Sequence, residues 1–250
     1  MHLAFIETRS QAGISAPPVT VEVHLSAGLP AFQVVGVTDA ASREIRSRVR
    51  SAIVSSHLKW PDFNITINLS PTEQVKQGAR FDLPIAIGLL VASNQLPRET
   101  IEHREFLGEL SLDGSLRPCH GALSATLSAT DAKHMLCVAP DGAAQLASVP
   151  GSRILAATDL LSLCAALQAR EPALVKPGSD PLAPTPHYPD LSQLRGQPFL
   201  CRALELAAAG GHHLLMCGPP GVGKTLAASV LPGLLPPLQP KTQQQIWLIR

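Results

Sequence analysis

The sequence predicts an α/β protein in two parts, a mixed α/β layer fold of about 170 residues and a nucleotide-binding α/β core. Three observations predict it. Strand-like and helix-like stretches interleave up to residue 168, a proline-rich stretch runs from Glu171 to Pro189, and GPPGVGKT (218–225) lies between an apolar segment and a helix-like one. Strand, glycine-rich loop and helix stand in the order a phosphate-binding core requires.

Taken in order, TVEVHLS (20–26) alternates apolar and polar residues and is rich in β-branched types, as suits a half-buried strand. NITINLS (64–70) shows the same period. Between them, from Ala40 to Ser56, Ile45, Val49, Ala52 and Ile53 recur at spacings of three and four, predicting an amphipathic helix. RFDLPIAIGLLVAS (80–93) reads as a buried helix entered near Pro84. FLGELSLDGSLRP (106–118) reads as a hairpin turning at Asp113-Gly114. Helices near 121–131, 142–147 and 159–168 and strands at 135–139 and 153–157 complete this part.

The stretch EPALVKPGSDPLAPTPHYP (171–189) carries prolines at 172, 177, 181, 184, 186 and 189. Proline lacks the backbone donor and fixes φ, so an extended, fairly stiff linker is expected. The division is therefore a domain at 1–170, a linker at 171–189 and a second domain at 190–250. In the second domain FLCRALELAAAGG (199–211) is a helix stopped by glycines, HHLLMC (212–217) a short strand, and LAASVL (226–231) a helix ending at Pro232.

Composition sets outer limits. The 250 residues carry 20 Lys+Arg against 19 Asp+Glu, a net charge of +1, and are 45% hydrophobic. That excludes a global polyanion-binding charge and whole-chain disorder but permits a local basic patch. No apolar run is long enough to span a bilayer, and MHLAFIETRS is not a signal peptide. Five widely spaced cysteines without a CxxC pair favour neither zinc nor disulfides, so reduced thiols in a cytoplasmic protein without membrane attachment are expected.

Gly218, Pro219, Pro220, Gly221, Val222, Gly223, Lys224 and Thr225 fill the phosphate-loop pattern G-x4-G-K-[ST]. Glycines let the backbone N–H groups converge on phosphate oxygens, and the following helix turns its positive end to them. Lys224 is expected at the β- and γ-phosphates of ATP, and the Thr225 hydroxyl on Mg²⁺. A turn that binds nothing is the alternative. Hydrolysis also needs a carboxylate for Mg²⁺ and a group that orients water. No Asp or Glu follows Glu205, and the sequence given ends at Arg250, so no catalytic residue is assigned and binding without hydrolysis is expected.

DLSQLRGQPFLCRALELAAAGGHHLLMCGPPGVGKTLAASVLPGLLPPL (190–238) resembles the opening of the AAA+ module in magnesium-chelatase-like ATPases of the YifB/ComM type. VTVEVHLSAGLPAFQVVGV, RVRSAI, ITINLSP, ARFDLPIAIGLL and GELSLDGSLRP also stand in that family's order. The resemblance implies a first domain similar to the Lon-protease domain, with the ribosomal-protein-S5-domain-2-like fold, followed by the N-terminal part of a P-loop AAA+ domain. It implies an ATPase ring, usually hexameric, acting in DNA processing during competence and recombination. It places Gly196 and Gln197, in the LRGQ turn, near the adenine; an ordinary helix-entry turn is the alternative. His212 and His213 match the family at the start of the loop strand and, as neighbours on a strand, make a poor metal pair. Walker B, the sensors and the arginine finger are not found in these residues, so hexamer assembly is not expected of them.

A Lon-like domain invites a serine–lysine peptidase. The loop KQGARFDLP (76–84) has no serine, no lysine lies between Lys76 and Lys133, and nothing in the spacing of Ser70 and Lys76 supports a substitute pair. A scaffold or partner-binding role is expected instead. On the 40–56 helix, Arg43, Arg46 and Arg50, with Arg48 beside them and Glu44 opposing, form a basic stripe, either a solvated face or a contact to nucleic acid. Two functions compete with a nucleotide-binding DNA-processing protein: a non-enzymatic partner-binding remnant and a true magnesium chelatase subunit, which the Lon-like first half disfavours.

Limited proteolysis is expected to cut between Glu171 and Pro189 and to release a stable fragment of residues 1 to about 170, since proline-rich backbone is poorly hydrogen-bonded. Mass spectrometry of the first products checks this; early cuts scattered through 1–170 contradict it.

Overall fold

The computed structural model describes residues 2–71, 78–178, 187–236 and Ile246. These fall into two compact units that divide between residues 179 and 180. Lys76 and Gln77 of the KQGARFDLP loop, residues 179–186 of the linker and 237–250 other than Ile246 lie outside the described residues.

The first unit is built on a seven-stranded mixed sheet. Its strands are β1 (Leu3–Arg9), β2 (Pro18–Ser26), β3 (Ala31–Val35), β4 (Asn64–Ser70), β5 (Arg104–Phe106), β8 (Met135–Val138) and β9 (Ile154–Ala156). A small separate ribbon supplies β6 (Glu109–Leu110) and β7 (Leu116–Arg117). The order across the main sheet is β3-β4-β2-β1-β5-β8-β9. The pairs β1–β2 and β2–β4 are antiparallel, and β3–β4, β1–β5, β5–β8 and β8–β9 are parallel. The helices are α1 (Asp39–Ser55), α2 (Asp82–Ala92), α3 (Ala122–Asp131), α4 (Ala143–Ala147) and α5 (Leu160–Gln168).

Alternation in the sequence marks which strands are covered on one face. Val19, Val21, Val23 and Leu25 of β2 and Ile65, Ile67 and Leu69 of β4 are buried with α1 and α2 in the main core, while the residues between them are half-buried or exposed. In β8 all four residues are buried: Met135 and Cys137 join the core that holds α5, and Leu136 and Val138 join a second core with α3 and α4. A strand covered on both faces reads as a continuous apolar run.

All eleven residues of α2 are buried, the condition expected of a helix apolar on every side. Its one charged residue, Asp82, sits in the first turn and is 0% exposed. Arg48 of α1 meets it with two bonds, Nε to Oδ2 at 2.7 Å and Nη2 to Oδ1 at 3.1 Å. Burial pushes the Asp82 carboxyl above the usual carboxylate range, opposed by the hydrogen bond from Arg48. That bond in turn holds the guanidinium above its ordinary value. The cost of enclosure falls on the carboxylate because its side chain is 1% exposed against 29% for the arginine. A second buried pair ties β1 to β5: Arg9 donates to Glu105 at 2.6 and 2.7 Å, and His134 Nδ1 lies 3.0 Å from the same carboxylate.

Several expectations need correcting. The hairpin is shorter than 106–118, because Phe106 belongs to the main sheet; only Gly114 has positive φ (+88°), with Asp113 accepting from the Ser115 amide. Leu3–Arg9, unassigned from sequence, is an inner strand, and Ala31–Val35 is a strand at the sheet's end. The start of the proline-rich stretch lies on the first unit: the Val175 amide donates to Ile154 and that of Gly178 to Ala144. No described helix is long and apolar enough to cross a membrane.

Arg48→Ala leaves the Asp82 carboxylate enclosed without a cation, at an expected cost of about 3 kcal/mol near neutral pH. A carboxyl whose folded pKa is raised is protonated in both states below its unfolded pKa, so the deficit vanishes there and grows as pH rises toward the folded value. Urea unfolding of variant and parent at about pH 4 and about pH 7.5 checks this. A deficit equal at both pH values would contradict it.

Candidate nucleotide site

The second unit packs α6 (Pro198–Gly210) against α7 (Lys224–Leu234), with Leu194, Leu204, Ala227 and Val230 buried between them. Pro198 occupies the first turn of α6, and Gly211, in the left-handed region at φ +61°, ends it. Asp190 opens the segment, and hydrogen bonds from Ser192 hold its carboxyl below the usual range.

The HHLLMC segment differs from expectation. Residues 212–217 form no ladder, since a strand needs a partner strand and the described residues of this unit supply only helices. Its two-residue period survives in the packing: Leu214 and Met216 lie against the helix pair, whereas Leu215 is 87% exposed and Cys217 is exposed. The next helix also runs past the expected stop, with Pro232 inside its last turns, and ends at Leu234.

Gly218 to Gly223 form the loop that leads into α7. Gly221 and Gly223 take φ of +87° and +88°, left-handed conformations that a β-carbon penalises. Gly223 is the N-cap of α7, so the amides of the first turn, with no partner inside the helix, face the loop side. Lys224 Nζ donates to the carbonyls of Gly218 and Pro219 at 2.7 and 2.8 Å. Thr225, in the first turn, is exposed. Pro219, Pro220 and Val222 are exposed along the loop, Val222 at 40%.

Gly196 has φ +74°, and Gln197, the N-cap of α6, reaches the loop: its Nε2 donates to the Val222 carbonyl at 3.0 Å. The LRGQ turn and the glycine loop, separated in sequence, are thus joined by a bond that sequence reasoning does not supply. A side-chain amide just before a helix-forming run is its only trace in the sequence. His212 uses its backbone amide to hold the Ala207 carbonyl at the end of α6, and among the described residues no cluster of His, Cys, Asp or Glu fits a metal ion. Glu205, the last acid in the sequence, pairs with Arg202 on α6 at 2.9 Å.

Two candidate features lie outside the loop. Ser70 ends β4, and its suggested partner Lys76 lies outside the described residues. Arg48 leaves the basic stripe, being bound to Asp82, while Arg43, Arg46 and Arg50 line an open cavity on α1. The thiols of Cys119, Cys137 and Cys164 are pushed up to about 12 by burial.

Residues 21–142 match the family model for the ChlI subunit of Mg-chelatase, and residues 190–249 match a second, magnesium chelatase subunit ChlI. The chain is 44% identical to the protein YifB of Salmonella typhimurium over 95% of its own length and 47% of that protein. It is 44% identical to YifB of Escherichia coli K12, with the same coverage. It is 42% identical to the competence protein ComM of Haemophilus influenzae, over 94% of this chain and 47% of ComM. The chain spans about half the length of the curated relatives it matches.

Gly223→Ala forces a β-carbon into the left-handed region at a cost of roughly 1–2 kcal/mol. Hydrogen exchange within 187–236 is expected to quicken by about tenfold, with 2–178 unchanged. Unchanged exchange in the second unit would show that the loop does not need this conformation.

Proposed function

The chain belongs with the magnesium-chelatase-like proteins of the YifB and ComM kind, and from that premise we propose that its second unit binds Mg²⁺·ATP at the loop Gly218–Thr225. We further propose that the whole protein is a DNA-processing AAA+ motor, for which these 250 residues supply the nucleotide-holding part. The observation that carries the reading is the complete octapeptide GPPGVGKT set at the N-terminus of an eleven-residue helix, with Lys224 drawn back over the loop.

The residues suit the ligand. Left-handed Gly221 and Gly223 leave the amides clear of β-carbons, and the start of α7 favours an anion. Lys224 exchanges two neutral carbonyls for phosphate oxygens, which makes a stronger, charge-assisted contact. Thr225 offers its hydroxyl to the cation, and bound Mg²⁺ neutralises the polyphosphate charge. Gln197, through Val222, holds the loop against the turn assigned to the adenine, together with Gly196. No acid follows Glu205 in these residues, so the carboxylate and the water-orienting group of a hydrolytic site are expected from elsewhere.

The first unit is taken as a Lon-like, S5-domain-2-like domain. The antiparallel β1, β2 and β4 with α1 and α2 on one face support that assignment, and the serine-free turn at 78–84 favours a scaffold over a peptidase.

Calorimetric titration of the 250-residue chain with Mg²⁺·ATP is expected to give micromolar affinity, weakened at least about tenfold in Lys224→Ala without loss of helical signal. Phosphate release is expected to stay below about one turnover per minute, with or without DNA. Equal affinity in parent and variant would reject the site, and faster turnover abolished by Lys224→Ala would reject the division between binding and hydrolysis.

A further inference from the structure

Helix α1 packs on the core through Ser42, Ile45, Val49, Ala52 and Ile53. Helical periodicity then turns Arg43, Arg46, Ser47, Arg50 and Ser51 to the other side, where they line an open cavity of about 660 Å³. Arg43 and Arg50 are exposed and Arg46 is half-buried. Of the helix's four arginines, Arg48 is occupied, bound to Asp82 at 2.7 Å and lying 3.8 Å from Glu44. Among the described residues, Arg43, Arg46 and Arg50 make no ion pair and no side-chain hydrogen bond. Asp39 stands one turn before Arg43 and does not pair with it, and Arg46 and Arg50 stand at the spacing where like charges repel. Asp39 and Glu44 flank this face and are both exposed, so the unpaired positive charge is concentrated in the lining itself. Among the described residues, the lining of this cavity has three guanidiniums, hydroxyls and no carboxylate.

We propose that this face of α1 docks the phosphate backbone of duplex DNA. The proposal rests on the DNA-processing reading above and assigns it a surface. From Arg43 to Arg50 the helix rises about 10.5 Å at roughly 1.5 Å per residue. Phosphates of one strand advance about 3.4 Å per step, so the rise of about 10.5 Å from Arg43 to Arg50 spans about three steps of the backbone. Guanidinium meets phosphate with two parallel hydrogen bonds, and Ser47 and Ser51 add neutral donors between them. No aromatic residue lies on α1, so the face offers no platform on which unpaired bases stack. Among the described residues, Val54 is the one apolar residue of the lining, too little to insert into a bilayer. The occupant is therefore a duplex gripped by its backbone and not read by sequence.

The test uses the 250-residue chain and a short fluorescent duplex, with anisotropy measured across a salt series. In the triple variant Arg43→Gln/Arg46→Gln/Arg50→Gln, affinity near 0.1 M salt is expected to fall at least about tenfold, and the log–log salt slope to shrink by about 2.7, or about 0.9 for each phosphate no longer neutralised. The triple Lys variant keeps most of the slope, because it keeps the charge, and Arg43→Gln alone removes about 0.9. Mg²⁺·ATP titration and circular dichroism of each variant are expected to match the parent, which separates a lost surface from a lost fold. A triple Gln variant that binds duplex with the parent's affinity and slope overturns this site and leaves the DNA-processing reading standing. A parent chain that binds no duplex overturns both, while ATP binding stands on its own titration. Tighter binding to unpaired strands or to phosphatidylserine vesicles than to duplex also overturns the proposal.

Discussion

Helix α2 lies against the sheet at a distance set by one residue without a side chain. A β-carbon at Gly88 would meet Val23 Cγ2 at 2.6 Å and Ile6 Cγ1 at 3.2 Å, so the helix backbone itself fills the space above β1 and β2. Interiors are packed too tightly to yield at such a contact without cost. Close approach buries the whole helix, including the carboxylate in its first turn. An enclosed carboxylate needs a cation, and Arg48 provides it from α1. The rotation of α1 about its own axis is thereby fixed on two sides, by its apolar stripe and by that ion pair. Arg43, Arg46 and Arg50 face outward as a result. The basic surface of the first unit thus follows from a packing requirement in its core.

The strands of the sheet differ in how well the sequence announced them. TVEVHLS and NITINLS declared themselves because each has one covered face, and alternation is the trace that one-sided burial leaves. LAFIETR did not, although it is an inner strand: it ends in two buried polar residues on opposite faces, Thr8 and Arg9, satisfied by the Phe106 carbonyl and by Glu105. Polar residues inside a strand are intelligible only once their distant partners are known. The same limit hid the Arg48–Asp82 pair, whose members stand 34 positions apart, and made the four arginines look like one stripe. The glycine loop and the helix it opens were legible because their pattern is contiguous in the sequence. The bond from Gln197 to Val222 was not, since it joins two turns 25 positions apart.

Lys224 illustrates why recognition and affinity are different quantities at this site. Its ammonium already holds two loop carbonyls, so the phosphate binding proposed for it would replace contacts and not simply add them. Affinity is then the difference between a neutral and a charge-assisted pairing, together with the ordering of the loop. The left-handed glycines reduce that second cost by keeping the amides accessible before any ligand arrives.

The burial of the thiols makes the chain its own chemical reporter. Cys119, Cys137 and Cys164 are held as neutral thiols by their surroundings, and alkylation proceeds through the thiolate, so they react slowly near neutral pH. Cys201 is half-buried against Leu194, whereas Cys217 is exposed and adjoins Gly218 at the mouth of the loop. A maleimide dye applied briefly to the unaltered chain therefore attaches first beside Gly218, where it would report optically on nucleotide at the proposed site without engineering a single residue.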